Sequence, residues 1–305
     1  MLKTNNQWQA TLVSPTEMGR FLNETADFAP FETVWHKFFQ INKIEEARQY
    51  INFPLPPHRK TVFDFIFLTA GTTSRAKGID TYNMVSNDIF FLPAYQILSS
   101  EYMSEDVTGY YCHFDMDIFT KKFTQYNFLN EFPFLQFNGN PVVKIPADVT
   151  PSVLSIFKRL EYEYRHLKPD SLDLICSYLL TLFFEVNRYA EKEDNRQINA
   201  ASHTTQRFKE ALAQHIYTYQ KLSEYAKLLS VSPNYLNKCV KITTGKAAHA
   251  ILNDVILLEI KALLKQSPLS ISEIAYKIGK NDPSDFSRFF KAQTGKTPKA
   301  YRESD

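Results

Sequence analysis

Apolar residues recur at helical spacing in two consecutive stretches near the end of the chain. Residues 271–278 place their apolar side chains on one helical face, and the stretch after Pro283 does the same with Phe286, Phe289 and Phe290. The other positions of the second stretch are mostly polar or charged. This pattern predicts two short amphipathic helices, the second with a polar outer face.

Capping signals mark the ends of these two helices. Ser270 and Glu273 form the S-x-x-E pattern of a capping box, and Gly279 is suited to ending the first helix. Asp282 followed by Pro283 marks the start of the second helix, because aspartate accepts from free amides and proline tolerates the first helical turn. A helix, a tight turn and a capped helix with a polar face are typical of a helix-turn-helix DNA-binding unit.

A second copy of this pattern lies upstream, in residues 222–246. Matched positions before the turn are 49 residues apart and those after it are 50 apart, so the copies differ by one residue within the turn. The matched pairs are Ser223 with Ser272, Glu224 with Glu273, Ala226 with Ala275, Pro233 with Pro283, Leu236 with Phe286, Val240 with Phe290, Lys241 with Lys291, Thr244 with Thr294, Gly245 with Gly295 and Lys246 with Lys296. This repetition favours two helix-turn-helix units over two unrelated helical hairpins.

An apolar segment, residues 247–264, connects the two copies. As a continuous helix it would span about 27 Å at ~1.5 Å per residue. Successive major grooves on one face of B-DNA lie about 34 Å apart. We therefore expect a linker helix that holds two reading helices at about one turn of DNA, so that one chain contacts two adjacent major-groove segments.

Short runs of β-branched and aromatic residues, separated by turn signals, occupy residues 58–120. They are residues 61–69, 80–85, 89–92 and 110–114. Several short strands at this spacing are typical of a β-sandwich or a β-barrel. The pattern therefore predicts a β domain in the first half of the chain.

Two longer apolar periodicities follow the β domain. They predict helices over residues 151–166 and 171–189, which either cover the β domain or mediate dimerisation. Residues 191–202 are charged and polar without apolar periodicity, which indicates a linker. Residues 1–55 show weak periodicity and predict an N-terminal arm followed by early strands.

Charge separates the two parts of the chain. The 305 residues carry a formal net charge of +2, but residues 201–305 hold 16 Lys plus Arg against 9 Asp plus Glu, while the rest of the chain is net negative. A basic C-terminal third suits a polyanionic partner. Three scattered cysteines, no signal-peptide core and no apolar run long enough for a bilayer together predict a soluble cytoplasmic protein.

The residues that end the chain resemble a known family. Two helix-turn-helix units joined by an apolar helix, with the closing pattern F-F-K-x-x-T-G-x-x-P-x-x-Y-R, are similar to the AraC family of bacterial transcription regulators over roughly residues 205–302. The segments NDIFFLPAYQ and GYYCHFD resemble the cupin-like sensor domain that commonly precedes such a reader. Three positions depart from the family pattern: Lys280 replaces a usual aromatic residue, Asp285 a frequent tyrosine, and Lys221 a capping serine or threonine.

Pattern and resemblance together predict an α+β fold. The expected order is a cupin-like β-barrel sensor domain with an N-terminal arm, residues 1–148, and a dimerising helix pair, residues 149–190. A linker, residues 191–203, then leads to an all-α DNA-binding domain, residues 204–305, with two helix-turn-helix units joined by a linker helix.

Helical periodicity, matched to the family's reading-helix positions, selects the residues expected to contact DNA. The base-reading candidates are Asn234, Asn237, Lys238, Ser284, Asp285 and Arg288. Asparagine suits adenine edges, arginine and lysine suit guanine, and aspartate suits the cytosine amino group. For each, the alternative is a phosphate contact or plain exposure, and for Asp285 it is a helix cap. The phosphate candidates are Lys241, Lys246, Lys291 and Lys296.

Aromatic residues of the β domain are candidates for an effector pocket, with filling of the barrel interior as the alternative. They include Phe65, Phe67, Tyr82, Tyr95 and Tyr110. Only His58 and His113 lie in this segment, and neither belongs to an H-x-H pair, so we expect no metal and no cofactor.

These observations predict a sequence-specific DNA-binding transcription regulator rather than an enzyme. Its partners would be double-stranded DNA, a small effector and a second copy of the chain, and the resemblance adds RNA polymerase and favours an activator. Two alternatives remain: a cupin-type enzyme with a helical appendage, and a regulator that binds DNA without an effector.

Overall fold

A computed structural model describes residues 38–120, 123, 128–166, 168, 170–190, 200–280 and 282–304. The described residues fall into two compact units, divided after residue 191. The N-terminal arm expected before residue 38 and most of the expected linker lie outside the described residues. Each unit is described on its own below.

The N-terminal unit contains two antiparallel sheets. The larger has the order β1 (Phe39–Lys43), β8 (Thr108–Phe114), β3 (Phe63–Ala70), β6 (Asp88–Leu92) and β9 (Val142–Lys144). The smaller has the order β2 (Leu55–Arg59), β7 (Ile97–Met103), β4 (Thr73–Lys77) and β5 (Asp80–Met84). The expected β-rich domain is confirmed, but within the described residues the sheets do not close into one barrel, because no edge strand of one pairs with the other.

Strand β3 is buried on both faces over its first six residues. Phe65 pairs with Cys112 and Phe67 with Tyr110, and these side chains belong to an apolar cluster shared with two helices. The intervening residue Ile66 belongs to a second cluster, which includes residues of the smaller sheet. This alternation follows from the two-residue period of a strand.

A helix pair covers the outer face of the larger sheet. Helices α4 (Thr150–Arg165) and α5 (Ser171–Asn187) supply Phe157 and Phe183 to the first cluster. The Phe157 ring stacks on Phe67 at 5.0 Å and on Tyr110 at 5.2 Å between ring centroids. The covering role of this pair is therefore observed, whereas dimerisation stays a prediction.

Short helices complete the N-terminal unit. The α-helical ones are α1 (Ile44–Ala47), α2 (Asp117–Thr120) and α3 (Phe128–Glu131), and the 3-10 helices are Arg48–Tyr50 and Pro133–Leu135.

The C-terminal unit is entirely helical in its described residues. Its helices are α6 (Ala200–His215), α7 (Leu222–Leu228), α8 (Pro233–Thr244), α9 (Ala248–Gln266), α10 (Ile271–Lys277), α11 (Pro283–Thr294) and α12 (Pro298–Glu303). The pairs α7–α8 and α10–α11 are the two expected helix-turn-helix units, and α9 is the expected linker helix. Helix α6 begins inside the stretch expected to be linker. Among the described helices, none is long and apolar enough to cross a membrane.

Candidate nucleic-acid interface

The first helices of the two helix-turn-helix units end with the same backbone geometry. Ser230 in the first and Gly279 in the second both adopt positive φ, +58° and +75°. In the second unit the Lys280 N–H donates to the Ala275 carbonyl at 2.8 Å, and in the first unit the Val231 N–H donates to the Ala226 carbonyl at 3.0 Å. This bond closes the C-terminal cap of the first helix in each pair, since the residue with positive φ turns the chain back. The internal repeat is therefore structural as well as sequential.

Side-chain caps start both reading helices, α8 and α11. The Tyr235 N–H donates to Ser232 Oγ at 3.1 Å, and the Ser284 N–H donates to Asp282 Oδ1 at 2.7 Å. The backbone hydrogen bond from Ser284 lowers the pKa of Asp282. Asp282 therefore fills the capping role that sequence patterns also allowed for Asp285.

Capping of the preceding helices differs between the units. In the second, the Glu273 N–H donates to Ser270 Oγ at 3.2 Å and the Ser270 N–H donates to Glu273 Oε2 at 2.7 Å, which completes a capping box. In the first, Glu224 Oε2 accepts from the Lys221 N–H at 2.7 Å, but a lysine ammonium cannot accept in return. Lysine in place of serine or threonine at position 221 thus removes one of the two hydrogen bonds of the capping box.

Each reading helix packs into the C-terminal unit through buried apolar residues. Leu236 and Val240 of α8, and Phe286 and Phe290 of α11, are fully buried. The Tyr301 ring of α12 meets Phe290 edge-on at 5.4 Å between centroids. These positions set which side of each reading helix faces outward.

The candidate base-reading residues occupy the outward side, with one exception. Exposed positions are Asn234, Lys238, Ser284, Asp285 and Arg288. Arg288 Nη2 forms an ion pair with Asp285 Oδ1, and both side chains remain largely exposed. Asn237 is half-buried, and its Oδ1 accepts from the Ala248 N–H at 2.9 Å.

All four candidate phosphate-contacting lysines are exposed: Lys241, Lys246, Lys291 and Lys296. Lys246 Nζ also forms an ion pair with Asp254 Oδ2 at 2.9 Å. Gly245 and Gly295 end the reading helices with positive φ, +74° and +75°. The lysines that follow these glycines therefore lie at matching places in the two units.

The aromatic candidates for an effector pocket do not converge on one cavity. Phe65, Phe67 and Tyr110 lie on the helix-covered face of the larger sheet and fill its core. Tyr82 packs against the cluster between the sheets, where its ring meets Phe90 at 5.8 Å. Tyr95 lies in the loop before β7 with a φ of +67°. They are separated because Tyr82 belongs to the smaller sheet and Tyr95 to a loop, whereas the other three lie on the helix-covered face of the larger sheet.

A buried group of charged residues lies on the inter-sheet side, and sequence patterns did not indicate it. Lys60 Nζ donates to Asp64 Oδ2 at 2.7 Å and to the Tyr111 hydroxyl at 2.5 Å. The Arg75 guanidinium lies over the Phe90 ring, with 5.3 Å between Cζ and the ring centroid. The Nε–H of Arg75 has no hydrogen-bond partner among the described residues. Burial lowers the pKa of both Lys60 and Arg75. Two cations and one carboxylate thus share an interior site.

His58 extends this buried group. Its Nδ1 lies 2.8 Å from the Pro56 carbonyl, and burial together with the Lys60 charge lowers the pKa of His58 to about 3. The imidazole is therefore neutral near pH 7. Within the described part of the chain, no cluster of three or more His, Cys, Asp or Glu residues is arranged to hold a metal ion.

Comparison with known proteins assigns the C-terminal region. A family model described as a helix-turn-helix domain matches residues 225–304. A transcriptional regulator of Rhizobium meliloti, GlxA, is 38% identical over 77 residues, which are 25% of this chain and 24% of that protein. A transcriptional activator of Yersinia pseudotuberculosis, RhaR, is 25% identical over 148 residues, 48% of this chain and 51% of that protein. The alignments thus span a quarter and a half of these relatives.

Among solved structures, the C-terminal domain of the response regulator AraT from Geobacillus stearothermophilus is similar to this chain. It is 28% identical, covers 35% of this chain and 89% of its own, and has a TM-score of 0.33. The relatives found by sequence are named as a transcriptional regulator and a transcriptional activator.

Proposed function

We propose, from the AraC-type helix-turn-helix domain that forms the C-terminal region of this chain, that the protein is a transcription regulator that binds double-stranded DNA. The observation that carries the proposal is the duplicated unit, in which the first helices end with matched backbone geometry and each reading helix buries one face and exposes a largely polar one. The basic charge of residues 201–305 adds a sequence-independent attraction to phosphate.

The two units would read adjacent major-groove segments. Helix α9 has 19 residues and therefore a length of about 28 Å. We propose that this length, together with the packing at each end, holds the two reading helices about one turn of DNA apart, which is about 34 Å. The exposed side chains of α8 and α11 would contact base edges, and the four lysines would contact phosphates and set the register.

Selection of bound genomic fragments by the purified chain tests this function. We expect a recovered motif with two blocks about one helical turn apart, and affinity that falls steeply as salt rises. Absence of enrichment over random DNA, with and without cell extract as a source of effector, would contradict the proposal.

Arg288 is the residue of the second unit that we propose to read guanine. Its planar guanidinium can donate two hydrogen bonds to one guanine edge. Arg288→Ala should therefore cost about 1–3 kcal/mol on the recovered site and relax the preference at one base pair. A matched Lys291→Ala control should weaken recovered and random DNA equally. Equal losses on both DNAs for Arg288→Ala would show that this residue contacts phosphate instead.

The N-terminal unit is the proposed sensor and dimerisation part, and the resemblance to AraC regulators favours an activator that contacts RNA polymerase. We propose that an effector, if it is anionic, binds between the sheets, where Lys60 and Arg75 outnumber Asp64. Tyr82 is the cross-strand partner of Arg75 and adjoins this group. Stabilisation of the purified chain in a thermal-shift screen of small carboxylates is the expected result. A screen without any hit would favour a regulator that needs no effector.

A further inference from the structure

The start of the linker helix α9 is capped by a side chain from another helix. The residue that precedes α9 is Ala247, whose methyl group cannot accept a hydrogen bond. The amide of Ala248, in the first turn, donates instead to Asn237 Oδ1 at 2.9 Å. Amides in the first turn have no partner within their own helix and need an acceptor from elsewhere. Asn237 supplies it from the middle of the reading helix α8.

The second unit has its cap in a different place. The position that matches Ala247 at the repeat spacing is Thr297, and the position that matches Asn237 is Ser287. Thr297 accepts from the Ala300 N–H at 3.2 Å through its own hydroxyl, so α12 is capped by its own N-cap residue. The two copies therefore differ at both positions: the first has no hydroxyl at the residue before the helix, and an asparagine on its reading helix accepts from Ala248 instead. The residue that matches Ala248 in the second unit is Pro298, which has no N–H to cap.

This hydrogen bond joins two elements with different tasks. Helix α8 presents the polar face of the first unit, and α9 leads to the second unit. Ala248 is fully buried and Asn237 is half-buried, so water competes poorly for the bond. The ion pair of Lys246 with Asp254 joins the preceding loop to α9 nearby. The beginning of α9 is thus held to α8 by the Asn237 side chain and to the preceding loop by the ion pair.

An asparagine that reads adenine needs both ends of its amide. Its oxygen accepts from the adenine amino group while its nitrogen donates to N7. In Asn237 the oxygen is already engaged by the Ala248 amide. The amide oxygen has a second lone pair, so the cap does not use up its capacity to accept, but it does fix the orientation of the side chain. Turning Asn237 away from Ala248 onto a base edge would leave the buried Ala248 amide without this partner.

We infer that Asn237 is a positioning residue that fixes α9 to the first reading helix, and that base contacts from α8 come from Asn234 and Lys238. This inference rests on the proposed DNA-binding function. By holding α9 at a set angle to α8, Asn237 determines where the second unit lies relative to the first. Its effect on DNA binding is therefore specific to sites that engage both units.

The test uses four full-length proteins: the unmodified chain, Asn237→Ala, Ala247→Thr, and the double variant. By its match with Thr297, the threonine at 247 would restore a cap in the first turn of α9, on the amide of Ala250, which matches Ala300. Affinity is measured on the two-block DNA site selected by the unmodified chain, on DNA with only the first block, and on two-block sites with every base of the first block substituted in turn.

We expect Asn237→Ala to weaken binding to the two-block site by about tenfold, as loss of one helix cap implies. Binding to the first block alone should change by less than about threefold, and the base preference should stay the same. The double variant should recover most of the affinity. Hydrogen exchange of the first-turn amides of α9 should rise in Asn237→Ala and return in the double variant.

Two results would overturn the inference. One is a double variant that regains slow exchange in α9 but keeps the affinity loss and has a relaxed preference at one base pair, which would make Asn237 a base-reading residue. The other is unchanged exchange in Asn237→Ala. Exchange is measured without DNA, so it tests the cap even if no specific DNA site is recovered and the proposed function itself fails.

Discussion

Two glycines with the same backbone conformation separate the cost of backbone strain from the cost of packing. Gly279, in the turn of the second unit, and Gly295, at the end of α11, both have a φ of +75°. A Cβ at Gly279 would lie 2.5 Å from side-chain carbons of Gln220, whereas a Cβ at Gly295 would meet nothing within 4 Å. Gly279→Ala and Gly295→Ala are therefore a matched pair.

The expected magnitudes follow from these two situations. A left-handed conformation costs an alanine about 1–2 kcal/mol, and the reduced freedom of the unfolded chain offsets about 0.4–1 kcal/mol of this. Gly295→Ala should thus lose about 1 kcal/mol. In Gly279→Ala, Gln220 must also move, and its Nε2–H donates to the Ile216 carbonyl at 3.2 Å. Loss of that bond adds about 1 kcal/mol, for a total near 2 kcal/mol.

Hydrogen exchange followed by mass spectrometry locates the effect in the full-length chain. For amides of α10 and α11 that exchange through opening of the unit, about 1.4 kcal/mol corresponds to a tenfold faster exchange. We expect an increase of roughly fivefold for Gly295→Ala and roughly thirtyfold for Gly279→Ala. Equal increases would refute the role of Gln220, and no increase in either variant would refute the assignment of strain to positive φ.

Two further predictions concern the N-terminal unit. The pKa of His58, about 3, lies below its ordinary value of 6.5. Between these two pH values the unfolded chain binds a proton at His58 and the folded chain does not, so the free energy of unfolding should fall as pH drops from 6.5 toward 3. The expected loss between pH 7 and pH 5 is about 2 kcal/mol. Denaturant titrations at both pH values should show a smaller difference for His58→Asn, and an identical difference would contradict this. Arg75→Met should abolish the thermal stabilisation produced by any carboxylate identified in the screen, whereas retention of that stabilisation would exclude the inter-sheet site.

Sequence patterns predicted the helical unit well because its signals are local. The cap residues Ser270 and Asp282, and the glycine at 279, act within a few residues of their own positions, and the structure confirms each role. Helical periodicity likewise identified the buried side of both reading helices. Repetition strengthened each of these predictions, since two copies of one pattern are harder to produce by chance than one.

Contacts between residues far apart in the sequence could not be predicted from sequence patterns. Phe65 and Tyr82 share aromatic character, but Phe65 lies on the helix-covered face of the larger sheet and Tyr82 lies in the smaller sheet, and only the pairing of strands decides this. The contact of Lys60 with Tyr111 joins residues 51 positions apart. Helical periodicity predicts that Asn237 faces outward and contacts a base, but its hydrogen-bond partner Ala248 lies on the next helix. Composition carries no information on such pairs.

In the second unit, an ion pair on the outward side of α11 restrains the arginine that we propose to read guanine. In the second unit Asp285 holds Arg288 in an exposed ion pair, and such a pair contributes only about 0.2–1 kcal/mol. A bidentate contact with guanine is worth about 1–3 kcal/mol, so the correct base can draw Arg288 away from Asp285. A phosphate group offers less, because the carboxylate beside it repels the anion. If Arg288 reads guanine as proposed, we therefore expect Asp285 to weaken binding to random DNA more than binding to a site with guanine at the right position, so that aspartate in place of tyrosine favours selectivity over affinity.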